Sequence, residues 1–436
     1  MIRGGLFRMQ WLGRLLLVML AGADVRVSEG AEVFLSATRS EASRIPLGIL
    51  YVVTPPDRAR HSSEIRTVLE SDLRRSQVFR VIHPPLVPEL AGGEAPSAEL
   101  IKKAGRQDLQ AAVWISLSSK GEDLALEGRV YDGKTGQMVM GKRYVGQAQH
   151  LRAVVHRFSD DIVFQYTGER GVAGTRVVFS SSLTGSKELY LMDYDGYNVR
   201  KITNDRSLNL SPVWSPDGNG ITYTSYRGGT PAIYTLEMTT GRLWKVIGFP
   251  GLNISPSWSP SGNELAFASS LDGPTQLYRV DRGGGALRRL TVDQSDNLSP
   301  TWSPTGAEIA FTSNRGGGPQ IYMMNADGTN VRRLTFAGSY NTSPAWSPKG
   351  TAIAYACRVD GRLRICAISP DGAKQAQLTD GPGEDESPSW SPDGKHLIFS
   401  STRLSSGDLF MMNADGMEME RMTFSGAKNN GPSWSP

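Results

Sequence analysis

Tryptophan returns at a fixed interval of 44 residues through the second half of this chain. Each one stands in nearly the same local sequence, first seen at residues 211–218 (Ser-Pro-Val-Trp-Ser-Pro-Asp-Gly). The six tryptophans are Trp214, Trp258, Trp302, Trp346, Trp390 and Trp434. A repeat this regular predicts one small unit that is copied many times, because a single copy could not bury its own apolar face.

Each copy carries the signals of four antiparallel strands. Residues 215–218 (Ser-Pro-Asp-Gly) suit a type I turn. Alternating apolar and small residues follow it, as in residues 265–268 (Leu-Ala-Phe-Ala). Two further strands flank a second turn, as at residues 321–324 and 331–335. Such units are typical of propeller blades, so residues 169–436 are predicted to form a six-bladed β-propeller of WD40-like repeats.

The two ends of the repeat region predict how the ring closes. The first unit has no tryptophan strand of its own, because Arg170 occupies that position, while residues 432–436 form a spare copy. We expect this last segment to pair into the first blade, so that no blade keeps an open edge.

Residues 31–168 lack the repeat and predict a separate α/β domain. Strands are expected at residues 45–53, 78–82, 112–117, 124–130 and 138–145. Helices are expected from about residue 62 to 73, at 99–104 and at 148–166. Ser62 or Ser63, together with Glu64, predicts a capped start for the first helix. The glycine-rich stretch at residues 168–174 marks the boundary to the propeller.

The start of the chain has the composition of an export signal. Three arginines precede a short apolar run at residues 15–20, which cannot span a bilayer. Residues 1–30 are taken as the signal peptide, with cleavage after Ala23 as the alternative to Gly30. We therefore expect an exported protein that is not an integral membrane protein.

Net charge gives no reason to expect a nucleic-acid partner. The chain carries 47 Lys and Arg against 43 Asp and Glu. Residues 1–23 hold three arginines and no acid, so their removal leaves 44 against 43, a net charge of +1. Nucleic-acid binding normally needs a clear positive excess.

Cys357 and Cys366 fall on consecutive strands of one repeat, on either side of residues 360–361. An oxidising compartment would allow a disulfide between them. Hairpin register decides whether their β-carbons approach to roughly 4 Å, so the sequence leaves the bridged and the free state open.

Motifs for catalysis, metals and cofactors are absent or weak. There is no Gly-x-Ser-x-Gly nucleophile elbow, and the five histidines lack metal-ligand spacing. Residues 193–196 (Asp-Tyr-Asp-Gly) begin like a calcium loop but lack its downstream acidic ligands, which favours a hairpin turn. We expect no enzyme activity, no metal and no cofactor.

One position just before the Ser-Pro step is asparagine in four successive repeats: Asn209, Asn253, Asn297 and Asn341. Chain geometry puts these loops at one mouth of the tunnel, where the repeats also diverge from one another. Asparagine stabilises turns by itself, so turn chemistry is one interpretation. A ring of polar and apolar groups that binds a partner is the other.

Two further segments carry a resemblance to a known family. Residues 166–176 (Tyr-Thr-Gly-Glu-Arg-Gly-Val-Ala-Gly-Thr-Arg) span the domain junction, and residues 193–198 (Asp-Tyr-Asp-Gly-Tyr-Asn) lie in the first blade. With the export signal, the small α/β domain and the Ser-Pro-x-Trp-Ser-Pro-x-Gly repeats, they resemble the TolB family of the Tol-Pal system. The resemblance covers nearly the whole mature chain.

This resemblance implies a periplasmic adaptor without catalytic activity. Members of the family bind the peptidoglycan-associated lipoprotein Pal through the propeller and TolA through the N-terminal segment. Their task is outer-membrane integrity and outer-membrane constriction during cell division. Other outer-membrane proteins are further candidate partners.

Carried over by position, the resemblance implies two sets of contact residues. The Pal-facing set is Asn209, Leu252, Asn253, Asn297, Leu298, Ser299, Asn341, Glu384, Asp385 and Asn429. The TolA-binding set is Glu32, Val33, Phe34 and Leu35. The position of this segment favours cleavage near Gly30, whereas the local small-residue pattern favours Ala23.

Other classes of propeller protein stay open at this stage. A secreted carbohydrate- or peptide-binding propeller would need exposed aromatic or acidic groups that converge on the tunnel. The acidic cluster there is Glu384, Asp385 and Glu386. The tryptophans recur at one place in every blade, which favours packing between blades over ligand stacking. A peptidase of the prolyl oligopeptidase kind would need an attached hydrolase domain.

Overall fold

The computed structural model describes residues 43–84, 89–90, 94–104, 108–121, 123–404 and 407–436. In this part of the chain, a mixed α/β domain precedes a ring of six four-stranded sheets. The fold class predicted from the sequence, an α/β domain followed by a six-bladed β-propeller, is confirmed. None of the helices in the described ranges is both long enough and apolar enough to cross a bilayer.

One five-stranded sheet forms the centre of the α/β domain. Its strands are β1 Ile45–Val53, β2 Phe79–Ile82, β3 Ala111–Lys120, β4 Asp123–Asp132 and β5 Met138–Gln147. They lie in the order β2-β1-β3-β4-β5, with β1 parallel to both neighbours and the rest antiparallel. The β4–β5 hairpin turns at Asp132, whose carboxylate accepts the backbone N–H of Thr135 at 2.7 Å.

The helices of this domain are α1 Arg60–Arg75, α2 Ala98–Ala104 and α3 Leu151–Thr167, with 3-10 turns at Pro56–Arg58 and Ala148–His150. Apolar residues of α1 and α3 share one core with the sheet. Gly128 shows how closely α3 approaches, because a β-carbon at this position would lie 2.3 Å from the ring of Phe158.

The predicted cap of α1 at Ser62 or Ser63 is wrong. The helix begins at Arg60, and Ala59 at the N-cap position makes no side-chain cap hydrogen bond. Ser62 instead donates its hydroxyl to the carbonyl of Val52 at 3.0 Å, which ties the helix to β1. A tertiary contact has therefore taken the hydroxyl that the local pattern assigns to the cap.

Each blade of the propeller has four antiparallel strands. Blade 1 contains β6 Arg176–Thr184, β7 Ser186–Asp193 and β8 Arg200–Lys201. Blade 2 contains β9 Asn209–Trp214, β10 Gly220–Ser225, β11 Ala232–Glu237 and β12 Leu243–Ile247. Blade 3 contains β13 Asn253–Trp258, β14 Glu264–Ser269, β15 Gln276–Asp281 and β16 Arg288–Arg289.

Blade 4 contains β17 Asn297–Trp302, β18 Glu308–Ser313, β19 Gln320–Asn325 and β20 Arg332–Arg333. Blade 5 contains β21 Asn341–Trp346, β22 Ile353–Val359, β23 Arg362–Ile368 and β24 Gln375–Gln377. Blade 6 contains β25 Asp385–Trp390, β26 His396–Ser401, β27 Asp408–Asn413 and β28 Glu420–Arg421. The last strand, β29 Asn429–Trp434, is the first strand in the sheet of blade 1.

The predicted closure of the ring is confirmed, because β29 pairs antiparallel with β6 and aligns Trp434 with Val177. The tryptophans pack between neighbouring blades, as the sequence predicts. Trp390 donates its indole N–H to the carbonyl of Ala345 in the preceding blade at 3.0 Å, and Trp302 does the same to Ser257 at 3.2 Å.

Cys357 and Cys366 form a disulfide across the β22–β23 hairpin, with their Cα atoms 5.9 Å apart. They are diagonal neighbours, because Cys357 aligns with Arg364 and Cys366 aligns with Tyr355. The hairpin register thus settles the question that the sequence left open.

Candidate functional site

All six innermost strands begin at the same end of the tunnel, and we call the loops at this end the mouth. The first residues of these strands are Asn209, Asn253, Asn297, Asn341, Asp385 and Asn429. At the opposite end the same strands finish at the six tryptophans. The antiparallel order of each blade brings the loops from the outermost strand to the next blade back to the mouth.

The asparagine side chains at the mouth are buried and hold the loops from below. Asn253 donates its amide to the carbonyl of Phe249 at 2.7 Å, and Asn341 donates to Ala337 at 2.9 Å. In both cases the partner lies four residues earlier, in the loop that arrives from the preceding blade. A buried amide needs such partners, and here they close the loop.

Blade 6 replaces the asparagine by a buried acid, Asp385. Its carboxylate accepts a hydrogen bond from Arg403 at 2.7 Å and lies 4.0 Å from Arg364. Arg364 also donates to the carbonyls of Gly381 and Gly383, at 2.6 and 2.8 Å. An ion pair therefore fixes this loop where an amide fixes the others.

This placement revises the set of Pal-facing residues that the resemblance implies. Six of the ten, the ones that start the innermost strands, are buried and could affect a partner only through the loops that they hold. The four that reach the surface are Leu252, Leu298, Ser299 and Glu384. Leu252 is 39% exposed, and Leu298 packs beside Ile254 in one apolar cluster.

Three apolar side chains at the mouth were missed by sequence reasoning. Val292, Phe336 and Phe424 are 78%, 72% and 73% exposed. Each directly follows a Leu-Thr or Met-Thr pair at the end of its blade, a repeated position that could have drawn attention to them. Arg333 lies over the ring of Phe336 at 5.0 Å, and Arg421 lies over Phe424 at 4.9 Å. Exposed aromatic groups of this kind are typical of protein contact surfaces.

Charged side chains also lie at the mouth, on blades 6 and 1. Burial raises the pKa of Glu386, and the neighbouring Glu384 raises it further, while Lys187 opposes both effects. The ammonium of Lys187 donates to the side chain of Asn430 at 2.7 Å. The mouth therefore offers exposed apolar side chains on blades 3, 4 and 6 and charged side chains on blades 6 and 1.

The α/β domain packs against turns at the opposite end of the propeller. Gln77 donates its amide to the side chain of Asn413 at 2.9 Å and to the carbonyl of Lys395 at 3.2 Å. Lys395 in turn donates to the carbonyl of Ser76 at 3.1 Å. Arg75 pairs with Glu420 at 2.5 Å. These contacts leave the mouth uncovered by the described part of the α/β domain.

A buried charge cluster joins the two domains at blade 1. His156 places Nδ1 at 2.8 Å from Asp72 and Nε2 at 3.2 Å from Asp195. Arg152 also donates to Asp195, and the hydroxyl of Tyr194 donates to Asp72. Burial alone would lower the pKa of His156, but hydrogen bonds to Asp195 and Asp72 outweigh burial and raise it to about 9.

Ligand atoms of His156, Asp193 and Asp195 all lie within 4.8 Å of one another, a separation that a metal ion could bridge. Both nitrogens of His156 already face carboxylates, and Arg152 supplies a second positive charge to Asp195. We therefore interpret this group as an ion-pair cluster between the domains.

The tunnel contains a cavity of about 550 Å³ towards its opposite end. Its lining includes one proline from each innermost strand, namely Pro212, Pro256, Pro300, Pro344, Pro388 and Pro432. No charged side chain is among the described residues that line it. Four of the recurring tryptophans, Trp214, Trp346, Trp390 and Trp434, also line it.

The predicted TolA-binding residues Glu32, Val33, Phe34 and Leu35 lie outside the described residues, as does the expected signal peptide. The described part begins at Ser43, and Arg44 lies 3.9 Å from Glu418 in the blade 6 turn at the opposite end. The chain therefore enters the described structure at the end of the propeller away from the mouth.

Comparison with known proteins places these features in a family. Residues 164–436 match the model of the TolB beta propeller domain. The Tol-Pal system protein TolB of Geobacter sulfurreducens is 39% identical over 206 residues, which is 47% of this chain and 48% of that protein. The TolB homolog of Chlorobium chlorochromatii is 39% identical over 167 residues, or 38% and 37% of the two chains. These matches span about half or less of the relatives' length.

The likeness to a solved structure covers more of the chain. The crystal structure of TolB from Acinetobacter baumannii is similar with a TM-score of 0.74 and 26% identity. The likeness covers 90% of this chain and 97% of that one, so it includes both domains.

Proposed function

This chain belongs to the TolB beta propeller domain family, and we propose that it is a periplasmic adaptor of the Tol-Pal system. In this proposal the mouth of the propeller binds the lipoprotein Pal, and the N-terminal segment around residues 32–35 binds TolA. The protein acts by binding and not by catalysis. Its task is outer-membrane integrity and the inward movement of the outer membrane during division.

The observation that carries the Pal assignment is the mouth itself. It is uncovered by the described α/β domain, its loops are fixed by buried groups such as Asn253 and Asp385, and it exposes Leu252, Phe336 and Phe424. Loops that are already fixed lose little conformational entropy on binding. Exposed apolar groups on a fixed surface suit a protein partner.

The TolA assignment has support from the geometry at the other end. Arg44 lies beside Glu418, away from the mouth. The described part of the chain therefore begins at the end opposite the proposed Pal surface. Two partners could then be held by separate parts of one molecule.

The disulfide Cys357–Cys366 fits the oxidising periplasm.

Calorimetric titration with the soluble domain of Pal and with the C-terminal domain of TolA tests the proposal. We expect Leu252→Ala with Leu298→Ala to weaken Pal binding by about tenfold or more, because truncating central apolar contacts typically costs above about 1 kcal/mol. The variant should bind TolA like the wild type. Deleting residues 32–37 should do the reverse, abolishing TolA binding while Pal binding survives.

The matched control for the mouth is Leu287→Ala, which removes an exposed leucine of similar accessibility from the opposite end of blade 3. It should leave both affinities unchanged. If the wild-type protein, folded by circular dichroism, bound neither partner, the adaptor assignment would be refuted. Loss of both partners in either variant would refute the division of labour.

A further inference from the structure

We propose that His156 is a positioning residue: held between Asp72 of the α/β domain and Asp195 of the propeller, it fixes the orientation of one domain on the other. This role is separate from the proposed binding of Pal and TolA. The cluster lies away from the mouth, and no partner is proposed to bind at the cluster.

Both nitrogens of one imidazole ring face carboxylates, which favours the doubly protonated ring. Nδ1 of His156 lies 2.8 Å from an oxygen of Asp72, and Nε2 lies 3.2 Å from an oxygen of Asp195. A neutral histidine has one N–H and would turn a lone pair towards the second carboxylate. The imidazolium satisfies both carboxylates, and these two belong to different domains.

The four groups at the centre of the cluster balance in charge only when His156 is protonated. Asp72 and Asp195 contribute two negative charges, while His156 and Arg152 contribute two positive charges. Neutral hydroxyls complete the site around Asp72, from Tyr194 and from Ser159 at 2.7 Å. The remaining charged groups nearby are Asp160 and Asp193, with Arg75 beside Tyr194.

Because the two acids belong to different domains, His156 affects how one domain is oriented on the other. Asp195 lies in the turn between β7 and β8, at the end of blade 1, and Asp72 lies on α1. Without a protonated histidine between them, two like charges would stay buried with too few partners, which is strongly unfavourable. Separating the domains rehydrates Asp195 without disturbing either core, so the undocked state gains population.

Spin-label distance measurements on the full-length mature protein test this proposal. Labels are placed at Lys142→Cys in β5 and at Thr240→Cys in the β11–β12 turn, both exposed. The native cysteines are tied in their disulfide and do not compete for label. The test variants are His156→Gln and Asp195→Asn, and the matched control is His150→Gln, an exposed histidine just before α3.

We expect one narrow distance for the wild type and for His150→Gln. For His156→Gln and Asp195→Asn we expect a broad or two-component distribution. Asp195→Asn keeps the shape of the side chain, so it carries the test even if His156→Gln fails to fold. An unchanged narrow distribution in the folded variants would overturn the proposal. A joint loss of circular dichroism in both variants would also overturn it, because the cluster would then be needed for folding itself.

Discussion

The two ends of the propeller are made from one repeat, yet they present different chemistry. At the mouth, buried groups such as Asn253 hold each loop from inside, and Leu252 and Phe336 reach solvent. At the opposite end, short turns carry Asp195 and Lys395, which contact the α/β domain through charges and hydrogen bonds. The repeat keeps its internal supports while the exposed positions are free to differ. One end can thus suit a partner protein while the other suits a neighbouring domain.

The strongest test of the mouth supports is Asp385→Ala. The change leaves Arg364 and Arg403 without their shared acid in a buried site. We expect a loss of about 3–5 kcal/mol in the free energy of unfolding, measured in urea, together with weaker Pal binding. Asp380→Ala, an exposed acid in the same loop, is the control and should cost little. Equal stability of the two variants would show that the ion pair does not hold this loop.

The disulfide ranks next. It closes a loop with a sequence separation of nine between Cys357 and Cys366, and Cys357 aligns with Asn341 at the mouth. Replacing both residues by serine should cost about 2–3 kcal/mol of stability, since the unfolded chain regains the entropy of the open loop. Pal binding should not change, because β22–β23 keeps its ladder of hydrogen bonds. A binding defect without a stability loss would mean that the bridge shapes the mouth.

A smaller effect is expected for Asn253→Ala. Carbonyl groups of Phe249 and Pro231 lose an amide donor in a buried site. The free energy of unfolding should fall by about 1–3 kcal/mol. Pal binding should weaken through loosening of the adjacent Leu252. If affinity fell while nuclear magnetic resonance showed the loop unchanged, Asn253 would have to touch the partner directly.

The last expected effect is a dependence of domain docking on pH. The pKa of His156 is raised from 6.5 to about 9, so its contribution to docking is complete below about pH 6.5 and is lost as pH rises through about 9. Burial acts to raise the pKa of Asp195, but His156 and Arg152 lower it from 3.8 to about 2. That contribution is complete above about pH 4 and is lost as pH falls through about 2.

Calorimetric melting at a series of pH values therefore distinguishes the two ends of the propeller. Domain docking should be strongest between about pH 4 and 6.5 and should decline at both extremes. Binding at the exposed apolar side chains of the mouth should not follow this profile. A profile that is identical in His156→Gln would assign the pH dependence to other groups.

Much of the fold could be predicted from the sequence because its signals are local. The spacing of Trp214 and its copies gives the blade count, and the spare copy at residues 432–436 predicts the closing strand. Turn residues and alternation act within a few positions, so one blade can be recognised without knowledge of the others.

The site was harder to predict because burial and charge pairing depend on distant parts of the chain. Asn253 looks like a loop residue in the sequence, yet the β10–β11 connection and its own loop enclose its amide. Asp72, His156 and Asp195 are far apart along the chain and meet only after both domains have folded. The hydroxyl of Ser62 likewise donates to a carbonyl in β1, a contact that no local sequence pattern predicts.

Hydrogen exchange of the mature protein with and without the soluble domain of Pal tests most directly whether the mouth is the partner surface. We expect slower exchange in the bound state at residues 251–254, 295–299 and 335–341, with no change at residues 193–197 and 413–420. Protection confined to residues 193–197 and 413–420 would place the partner at the opposite end and refute the assignment of the mouth to Pal.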